Sequence, residues 1–377
     1  MMLITPKNPI HLVVLIPNTF QTSSGGAELQ VHYISEYLTQ TFQNIKVTVL
    51  TRGFSKSNQI YSVLSWGGKD TNWPVMEWVK IHKALDIIKP DIIYQRRGNA
   101  HTGIVAHYCR KNKIPMIWHV AHEDNLLPIK YGFNMSLIPR YVNSFMKKWG
   151  IRKANAIICQ TKHQKELLKQ NFDLNCDIVL PNVYPTVNEK FTKDRDKINV
   201  LWIANFRPFK RPEVFVDLAR TLTTNDNIVF HMIGRYGVKK WGYLLKKIKE
   251  TENLIFHGEL DIQEINKLLC KSHLLVNTSV REGFPNTFLQ AWMREVPVVS
   301  LSVDPDDITK KNKLGFHSGN FEQLKKDVLY LAENPNIIKQ IGKNARSYCI
   351  NKHSLGNIKH LANLIIKLTV ENIQIKE

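Results

Sequence analysis

Short apolar runs alternate along the chain with longer amphipathic segments. In the first half, runs rich in β-branched residues begin at His11, Lys46, Asp91, Pro115 and Ala156. The stretches between them, for example those from Gly26 and from Trp73, have apolar residues at helical spacing. Strands that alternate with helices in this way predict βαβ units and a parallel sheet.

A second series of apolar runs occupies the second half of the chain. These runs begin at Ile198, Asn227, Asn253, His273 and Val296. The polar segment 188–197 separates the two series and is typical of a linker. We therefore predict two doubly wound α/β domains, 1–190 and 191–355, and a C-terminal helix, 356–377, that can cross back to the first domain. Ligands of such sheets bind at the carboxyl ends of the strands, which predicts a site in the cleft between the domains.

The chain is strongly basic. Its 377 residues include 52 Lys and Arg against 32 Asp and Glu, a net charge of +20. This charge predicts an anionic partner: nucleic acid, an anionic membrane face or a phosphorylated substrate. No apolar run reaches the length of about 18 residues that spans a bilayer, and the five scattered cysteines form neither a disulfide pattern nor a zinc motif. We expect a cytoplasmic protein that is soluble or contacts only a membrane surface.

Two adjacent glycines, Gly25 and Gly26, follow the first predicted strand and begin the first predicted helix. Paired glycines let the backbone approach an anion, and a helix N-terminus offers unpaired N–H groups. The same residues also suit a tight strand-to-helix turn without a ligand. The pattern is neither the G-x-G-x-x-G of dinucleotide-binding folds nor the G-K-[ST] of a P-loop, so neither kind of nucleotide site is predicted.

A basic loop follows the first strand of the second half. It contains Arg207, Lys210 and Arg211, and Pro212 suits the first turn of the next helix. Cations at the carboxyl end of a parallel strand can neutralise the charge that develops on a departing diphosphate. A solvated basic loop is the alternative, and for Arg211 it is the better interpretation.

The most particular motif is 282–286, Glu-Gly-Phe-Pro-Asn, which lies between a predicted buried strand and a predicted helix. Gly283 permits close approach of the backbone, and backbone N–H groups near Asn286 and Thr287 can bind an anion. Gln290 lies just over one turn inside the helix. A carboxylate beside a helix N-terminus can be a simple cap, but a cap alone does not explain the whole motif.

The stretch 277–300 resembles the signature of family 4 of the retaining glycosyltransferases, which have the GT-B fold. The family pattern is roughly E-G-F/L-P-x-x-x-L-E-A-M-A-x-G-x-P-V-V. The G-G-A-E of Gly25–Glu28 and the basic loop also match, and Leu180–Asn182 and Asp304–Asp306 match more weakly. The matches occur in the family's order across most of the chain.

The resemblance implies two Rossmann-like domains, with a nucleotide-diphosphate sugar held mainly by the second and an acceptor held by the first. It assigns Glu282 to hydroxyls of the donor sugar, and Arg207 and Lys210 to the diphosphate. The expected catalytic residues are these three and His119. The expected donor-binding residues are Gly25, Gly26, Gly283, Phe284, Pro285, Asn286, Thr287 and Gln290.

Two positions depart from the family pattern. Gln290 stands where the family usually has a second glutamate that binds the ribose hydroxyls, which weakens a two-carboxylate interpretation of the site. Gln290 can still hydrogen-bond a diol, but it brings no charge. Glu295 replaces the usual glycine, and the sequence offers no account of that change.

The resemblance implies a reaction without an obligatory metal or cofactor, because basic residues and a helix N-terminus serve as the electrophile. The co-substrate would be a UDP- or GDP-linked sugar. The chain contains two D-x-D sequences, Asp194–Asp196 and Asp304–Asp306. The D-x-D motif is also found in metal-dependent transferases of a fold other than GT-B. Such short matches occur by chance, and the first lies in the linker, so we interpret both as structural.

Four polar residues follow predicted strands of the first domain. His119 and His122 lie just past the fourth strand, where the family commonly has a substrate-binding histidine, and His119 fits the strand register better. Either can hydrogen-bond sugar hydroxyls or assist proton transfer from the acceptor, or be an ordinary loop histidine. Arg96 and Arg97, after the third strand, are candidates for an acceptor phosphate.

Segment 136–155 combines apolar residues at helical spacing with several bases. Its basic residues are Arg140, Lys147, Lys148, Arg152 and Lys153. The segment fits an amphipathic helix at a membrane interface, and equally a core-packed helix with a solvated basic face. Since many family members glycosylate lipid-linked acceptors, an anionic membrane surface is a candidate partner. Nucleic acid is not expected, because no zinc-finger, RNP-like or Arg-rich motif is present.

We therefore expect a bacterial-type glycosyltransferase of surface or capsular polysaccharide synthesis. It would move a sugar from a UDP- or GDP-sugar to a lipid-linked or oligosaccharide acceptor at the cytoplasmic face of the membrane. Two alternatives remain. One is a nucleotide-sugar 2-epimerase of the same fold, which needs no acceptor, and the other is a non-catalytic basic protein that binds membrane or nucleic acid.

Overall fold

The computed structural model describes residues 9–19, 25–53, 60–68, 74–127 and 138–376. The chain divides into two compact units: the first runs to Val183 and resumes at Leu355, and the second is Tyr184–Ser354. The division falls before the expected boundary at residue 190, because the segment after Val183 is bonded into the second unit. The Tyr184 N–H, for example, donates to the His353 carbonyl oxygen at 2.8 Å.

The first unit is built on a seven-stranded parallel sheet. Its strands are Ile10–Leu15 (β1), Ile45–Thr51 (β2), Ser62–Ser65 (β3), Ile92–Arg96 (β4), Met116–His119 (β5), Ala156–Cys159 (β6) and Ile178–Val179 (β7). Their order is β3-β2-β1-β4-β5-β6-β7, and every neighbouring pair is parallel. The predicted parallel sheet is confirmed. The short strands β3 and β7 were not predicted, since so few residues give little periodic signal.

Helices cover both faces of this sheet. They are Gly26–Thr41 (α1), Trp78–Ile88 (α2), Ala100–Asn112 (α3), Ile138–Arg152 (α4) and Lys162–Phe172 (α5). The α1 helix packs on one face through residues that include Val31, Ile34 and Leu38. The helices α2 to α5 contribute to the core on the other face, as Ile81 and Ile104 show.

The α3 and α4 helices cross at very short range. Gly103 of α3 lies against Met146 of α4, and Gly150 of α4 lies against Thr102 of α3. A Cβ at either glycine would overlap the backbone of the other helix. Only glycine therefore permits this approach, which fixes α4 on the first unit.

The second unit has a six-stranded sheet. Its strands are Ile198–Ile203 (β8), Ile228–Ile233 (β9), Leu254–Gly258 (β10), Leu274–Asn277 (β11), Val298–Ser300 (β12) and Gly315–His317 (β13). Its helices are Pro212–Thr221 (α6), Val238–Lys249 (α7), Ile262–Lys271 (α8), Asn286–Met293 (α9), Ile308–Lys311 (α10), Phe321–Glu333 (α11) and Pro335–Lys352 (α12). The order β10-β9-β8-β11-β12-β13 is again entirely parallel, which confirms the second predicted α/β unit.

The last helix of the chain, Ile358–Lys376 (α13), belongs to the first unit. Its residues Ile358, Leu361, Ala362 and Ile365 are fully buried in the core that α1 also joins. No helix in the described ranges is both long and apolar enough to span a membrane.

Each sheet has one place where the strand order reverses. In the first unit it lies between β1 and β4, and in the second between β8 and β11. Ligands of doubly wound sheets bind at the carboxyl ends of the strands at such a switch point. The loops after these four strands are therefore where the candidate residues need to lie.

Candidate functional site

The basic loop of the second unit follows β8 and is bonded to the segment after β11. Pro208–Lys210 forms a 3-10 helix with the exposed Arg207 at its N-cap. The Thr278 hydroxyl donates to the Lys210 carbonyl oxygen at 2.6 Å, and the Val280 N–H donates to the Phe209 carbonyl oxygen at 2.8 Å. Because of these bonds, the two cations predicted to hold a diphosphate lie at the switch point of this sheet.

Lys210 and Glu282 form an ion pair between these two loops. The Ser279 hydroxyl donates to the same carboxylate oxygen, Glu282 Oε1, at 2.8 Å. Glu282 is 9% exposed, whereas the Lys210 side chain is 21% exposed. The glutamate side chain is therefore nearly enclosed, while the lysine side chain is partly exposed. Sequence reasoning named both charged residues but missed Ser279, whose only signal is its position three residues before Glu282.

The segment after Glu282 leads into α9. Residues 283–285 are buried, and Pro285 is the N-cap of α9, with no side-chain hydrogen bond to the helix. Asn286 and Thr287, in the first turn, are half-buried. A helix that lacks a side-chain cap can offer backbone N–H groups to an anion, and this helix begins four residues after Glu282.

Gln290 lies one turn further along α9 and is 5% exposed. Its carbonyl oxygen accepts a hydrogen bond from Arg294 Nη1 at 3.2 Å. Arg294 also binds both carboxylate oxygens of Glu189, through Nε at 2.7 Å and Nη2 at 2.8 Å. The Arg294–Glu189 ion pair connects the end of α9 to segment 184–189. Sequence reasoning missed both partners because it assigned Glu189 to a linker.

Glu295 has a φ of 57°, in the left-handed region that favours glycine. Its backbone carbonyl oxygen accepts a hydrogen bond from Lys193 Nζ and lies where a Cβ at Gly342 would be. These contacts fix the backbone at this position whatever the side chain. The left-handed backbone explains why the family usually has glycine at this position, and this chain has a glutamate there in a strained conformation.

Three other candidates have structural roles. Asp194 accepts hydrogen bonds from the Asp196 and Lys197 N–H groups at 2.8 and 3.2 Å, and Asp304 accepts one from the Thr309 N–H at 2.8 Å. Arg211 donates through Nε to the Thr278 carbonyl oxygen at 2.7 Å. Within the described ranges, no group of three or more His, Cys, Asp or Glu side chains is arranged to hold a metal ion.

In the first unit, Glu28 lies in the first turn of α1, beside Gly25. A Cβ at Gly25 would overlap the Glu28 carboxylate, which would then have to shift. Glu28 Oε1 accepts a hydrogen bond from Arg97 Nη1 at 3.2 Å, and the Arg97 side chain is 47% exposed. The structure thus brings Arg97 beside the first turn of α1, where Gly26 is exposed.

Arg96 and His119 lie together but are enclosed. Each is 1% exposed. Arg96 Nη2 donates to Asn182 Oδ1 at 2.6 Å, and Nη1 lies 3.3 Å from both Tyr94 Oη and His119 Nδ1. Burial, together with the Arg96 charge, holds the pKa of His119 well below its usual value.

His122 is the N-cap of a short 3-10 helix, Glu123–Asn125. Its Nδ1 accepts a hydrogen bond from the Asp124 N–H at 3.1 Å. Of the two candidate histidines, only His119 lies on a strand, which agrees with the preference given by the strand register.

The basic segment predicted over 136–155 contains α4, and residues 136 and 137 lie outside the described residues. Phe145 is 68% exposed and Ile138 is 42% exposed. The exposed bases of this segment are Arg140, Lys148, Arg152 and Lys153. Lys147, by contrast, is 5% exposed, and burial lowers its pKa. One face of α4 therefore packs on the first unit, while the other is apolar and basic.

Two family models match adjacent parts of the chain. The one described as Glycosyltransferase Family 4 matches residues 24–183, and the one described as Glycosyl transferases group 1 matches residues 184–348. The boundary between the two matches is the boundary between the two units.

Relatives and solved structures agree with these matches. The chain is 20% identical to an uncharacterized glycosyltransferase of Methanocaldococcus jannaschii, over 89% of this chain and 93% of the relative. HepE of Anabaena, solved in complex with UDP and glucose, has a TM-score of 0.73 and 16% identity, over 94% of this chain and 99% of that one. WaaG, a glycosyltransferase involved in lipopolysaccharide biosynthesis, has a TM-score of 0.73 and 14% identity, over 94% and 99% of the two chains.

The two units, each with a parallel sheet, match these structures almost from end to end. The family models together cover residues 24–348 without a gap. The chain is a glycosyltransferase of the family 4 type, with the two-domain GT-B fold.

Proposed function

We propose that this glycosyltransferase uses a UDP- or GDP-linked sugar as donor and retains the configuration of the transferred sugar. The observation that carries the proposal is the Lys210–Glu282 ion pair beside a helix N-terminus without a side-chain cap. Together with Arg207, it gives two cations and one carboxylate at the switch point between β8 and β11. The UDP in the HepE structure supports a nucleotide donor.

The cations and the start of α9 act on the leaving group. As the bond between the anomeric carbon and the diphosphate oxygen breaks, negative charge develops on that oxygen, and Arg207 and Lys210 neutralise it. The acceptor hydroxyl forms the new C–O bond on the face that the diphosphate leaves, and its proton passes to the departing oxygen. The sugar therefore keeps its configuration, and this route needs no metal ion.

Glu282 positions the donor sugar in this proposal. Its two hydrogen-bonded partners among the described residues, Lys210 and Ser279, both bind Oε1. The other oxygen, Oε2, can accept a hydrogen bond from a sugar hydroxyl. Gln290 would bind the ribose hydroxyls through its neutral amide.

The first unit would bind a lipid-linked or oligosaccharide acceptor in the synthesis of a cell-surface polysaccharide. Arg97 is the candidate for an acceptor phosphate, because its exposed side chain lies at the switch point of this sheet. Arg96, the other candidate of the pair, is enclosed. The similarity to WaaG, which is involved in lipopolysaccharide biosynthesis, supports this class of acceptor.

The exposed face of α4 supports peripheral binding to the cytoplasmic face of an anionic membrane. Phe145 and Ile138 offer apolar side chains among exposed bases. Residues 125–165 contain eight Lys and Arg and not one Asp or Glu. An apolar helix face with bases and no carboxylates suits the headgroup region of an anionic bilayer.

The donor site is tested with thermal melting in the presence of a panel of nucleotide sugars, followed by product analysis with and without acceptors. We expect one nucleotide sugar to raise the melting temperature, and Lys210→Met and Glu282→Gln to abolish transfer. The matched controls are Lys246→Met and Glu250→Gln, which remove an exposed ion pair on the surface of the same unit. These controls should transfer at the normal rate.

Each contrary result has its own meaning. If no nucleotide shifts the melting temperature, the chain is a non-catalytic basic protein. If a sugar nucleotide is isomerised without an acceptor, the chain is a 2-epimerase. Normal transfer by the Lys210 and Glu282 variants would show that the site lies elsewhere.

Membrane binding is tested by sedimentation with vesicles of phosphatidylglycerol or of phosphatidylcholine. We expect binding to the anionic vesicles that falls as salt rises, and loss of binding in the double variant Phe145→Ser, Lys148→Gln. The matched control is Tyr243→Ser, Lys246→Gln on α7, where Tyr243 is 58% exposed among lysines. Equal loss in both double variants, or binding that ignores salt, would refute the role of α4.

A further inference from the structure

The hydroxyl group of Thr278 joins three parts of the second unit. Thr278 directly follows β11, and its exposed fraction is 0%. Its Oγ1 lies 2.9 Å from Nε1 of Trp202, a buried residue of β8. The same oxygen lies 2.6 Å from the Lys210 carbonyl oxygen and 3.0 Å from the Arg211 carbonyl oxygen. Strand β8, strand β11 and the basic loop therefore meet at one buried oxygen atom.

The hydrogen bonds of this hydroxyl can run in only one direction. The indole N–H of Trp202 is a donor only, so Thr278 Oγ1 accepts from it. The single hydroxyl hydrogen remains for the carbonyl groups, and the nearer of these is that of Lys210. Thr278 thus connects the buried indole on β8 to the backbone of Lys210.

Arg211 returns a hydrogen bond to Thr278. Its Nε donates to the Thr278 carbonyl oxygen at 2.7 Å, so the side chain of each residue binds the backbone of the other. Arg211 has a φ of 48°, in the left-handed region that is unfavourable for an L-residue. Such a conformation persists where the surrounding contacts impose it. The reciprocal bonds therefore hold the turn after Lys210 in a conformation that the loop alone does not favour.

Two consecutive hydroxyl groups hold the two members of the Lys210–Glu282 ion pair. Thr278 binds the backbone of Lys210 at 2.6 Å, and Ser279 binds the carboxylate of Glu282 at 2.8 Å. Because Thr278 and Ser279 are adjacent in the chain, one short segment, 278–282, determines where both charges lie.

We propose that Thr278 and Arg211 are positioning residues whose reciprocal hydrogen bonds hold Lys210 where it meets the leaving group. This proposal rests on the proposed function, since it takes Lys210 to act on the diphosphate. Only interactions that are stronger in the transition state than in the ground state accelerate a reaction. A cation displaced from the oxygen on which charge develops loses such an interaction. Loss of the Thr278 hydroxyl should therefore lower kcat more than it raises KM for the donor.

The role of the hydroxyl is tested with two substitutions of Thr278. Valine keeps the shape of the side chain without the hydroxyl, whereas serine keeps the hydroxyl. We expect kcat of Thr278→Val to fall about tenfold or more, the effect of one lost buried hydrogen bond. KM for the donor should change less than about threefold. Thr278→Ser should recover most of the lost kcat, and normal kcat in Thr278→Val would overturn the proposal.

The matched control is Thr251→Val in the same unit. Thr251 is 3% exposed, and its hydroxyl donates to the Lys247 carbonyl oxygen at 2.7 Å. The control therefore removes an equally buried bond of the same kind, at the end of α7. Both valine variants should melt at lower temperature, but only Thr278→Val should lose kcat. Equal losses of kcat would make Thr278 merely structural and overturn the proposal.

Arg211→Met covers the case in which Thr278→Val does not fold. It removes the bond to the Thr278 carbonyl from a side chain that is partly exposed. Its control is Arg220→Met, which removes an exposed base from the last turn of α6. We expect Arg211→Met, but not the control, to lower kcat with little change in KM for the donor. A higher KM at unchanged kcat would show that Arg211 binds the donor directly, which overturns its positioning role.

The Trp202 indole gives a test that needs no substrate. In the whole chain labelled with ¹⁵N-tryptophan, the Trp202 signal is the one of eight that disappears in Trp202→Phe. We expect its N–H proton signal to move upfield in Thr278→Val, where the donor has lost its acceptor, and to move less in Thr278→Ser. An unchanged signal in Thr278→Val would overturn the hydrogen-bond network.

Failure of this inference differs from failure of the proposed function. Normal transfer by Lys210→Met would refute the function assigned to that lysine, whatever the Trp202 signal shows. Loss of transfer in Lys210→Met together with normal kcat in Thr278→Val would refute only the positioning role of Thr278.

Discussion

The Ser279 hydroxyl donates to Glu282 Oε1 at 2.8 Å, the oxygen that also forms the ion pair with Lys210. Ser279 is 2% exposed, so water does not replace its hydroxyl easily. Hydrogen bonds to a charged group contribute about 1.5–3 kcal/mol. We expect Ser279→Ala to lower kcat/KM about 10- to 100-fold and, because the same bond stabilises the folded unit, to lower the melting temperature as well.

The control for this variant is Ser302→Ala. The Ser302 hydroxyl also binds a charged partner, accepting from Arg211 Nη2 at 2.7 Å, but it does not touch Glu282. Steady-state kinetics of both variants test whether Ser279 holds the Glu282 carboxylate. Equal loss in the two, or normal activity of Ser279→Ala, would show that Ser279 does not hold the carboxylate.

The close crossing of α3 and α4 predicts opposite effects of the same substitution at two helical glycines. Gly150→Ala would push a methyl group into the Thr102 backbone, and overpacking of this kind costs about 1–3 kcal/mol. At Gly242 of α7, a Cβ meets no atom within 4 Å, so Gly242→Ala should stabilise by about 0.5–1 kcal/mol through helix propensity. Chemical unfolding of both variants tests this, and destabilisation by both would contradict it.

The left-handed conformation of Glu295 predicts that glycine stabilises this position. An L-residue in that region costs about 1–2 kcal/mol. Glycine avoids this cost, but it also makes the unfolded chain more flexible, which cancels part of the gain in stability. We therefore expect Glu295→Gly to raise the free energy of unfolding by about 1 kcal/mol. The control, Glu295→Ala, keeps the Cβ and should not stabilise. If alanine stabilised as much as glycine, loss of the carboxylate rather than relief of strain would be the cause.

Glu77 is buried between two basic side chains of the first unit. Arg52 Nε donates to its Oε1 at 2.8 Å, and His101 Nε2 lies 2.6 Å from its Oε2. Burial raises the pKa of Glu77, but hydrogen bonds and charge from His101 and Arg52 outweigh it and lower the pKa from 4.5 to about 2. A carboxyl group whose folded pKa is depressed stabilises above its unfolded pKa, and this stability is lost as pH falls toward the folded value.

We therefore expect Glu77→Gln to cost about 3 kcal/mol or more at neutral pH, since it removes the carboxylate charge that pairs with the buried Arg52 guanidinium. The difference from the unchanged protein should shrink as pH falls from 4.5 toward about 2. Unfolding free energies across that range test it. Glu371→Gln, which removes an exposed ion pair with Lys367 at 3.8 Å, should show almost no difference at any pH. A pH-independent loss in Glu77→Gln would contradict the assigned pKa.

The fold and the charged part of the candidate site could be predicted from sequence, because both depend on position relative to apolar runs. Arg207, Lys210 and Glu282 follow β8 and β11, and the ends of parallel strands meet at one edge of a sheet. Ser279 and Arg294 could not be predicted in this way. Their roles depend on which side chain they face, and serine and arginine at such positions are common on protein surfaces.

In the first unit, charge alone does not predict which basic residues are exposed to an anionic partner. Arg96 and Lys147 were both counted among residues for an anionic partner, yet each is enclosed. Strand and helix register determine their burial: Arg96 lies on the face of β4 that also carries Tyr94, and Lys147 lies on the packed face of α4. The neighbouring Arg97 and Lys148 are exposed, so a shift of one residue along the chain separates a solvent-facing charge from a buried one.

The helix α13 has a consequence for synthesis of the protein on the ribosome. Domains generally fold in the order in which they emerge, from the N-terminus onward. Here the second unit is one continuous segment, while the first unit needs α13, which follows that segment, to cover the core beside α1. The first unit is therefore completed only after the second has been translated, and part of its apolar surface stays uncovered until α13 has left the ribosome.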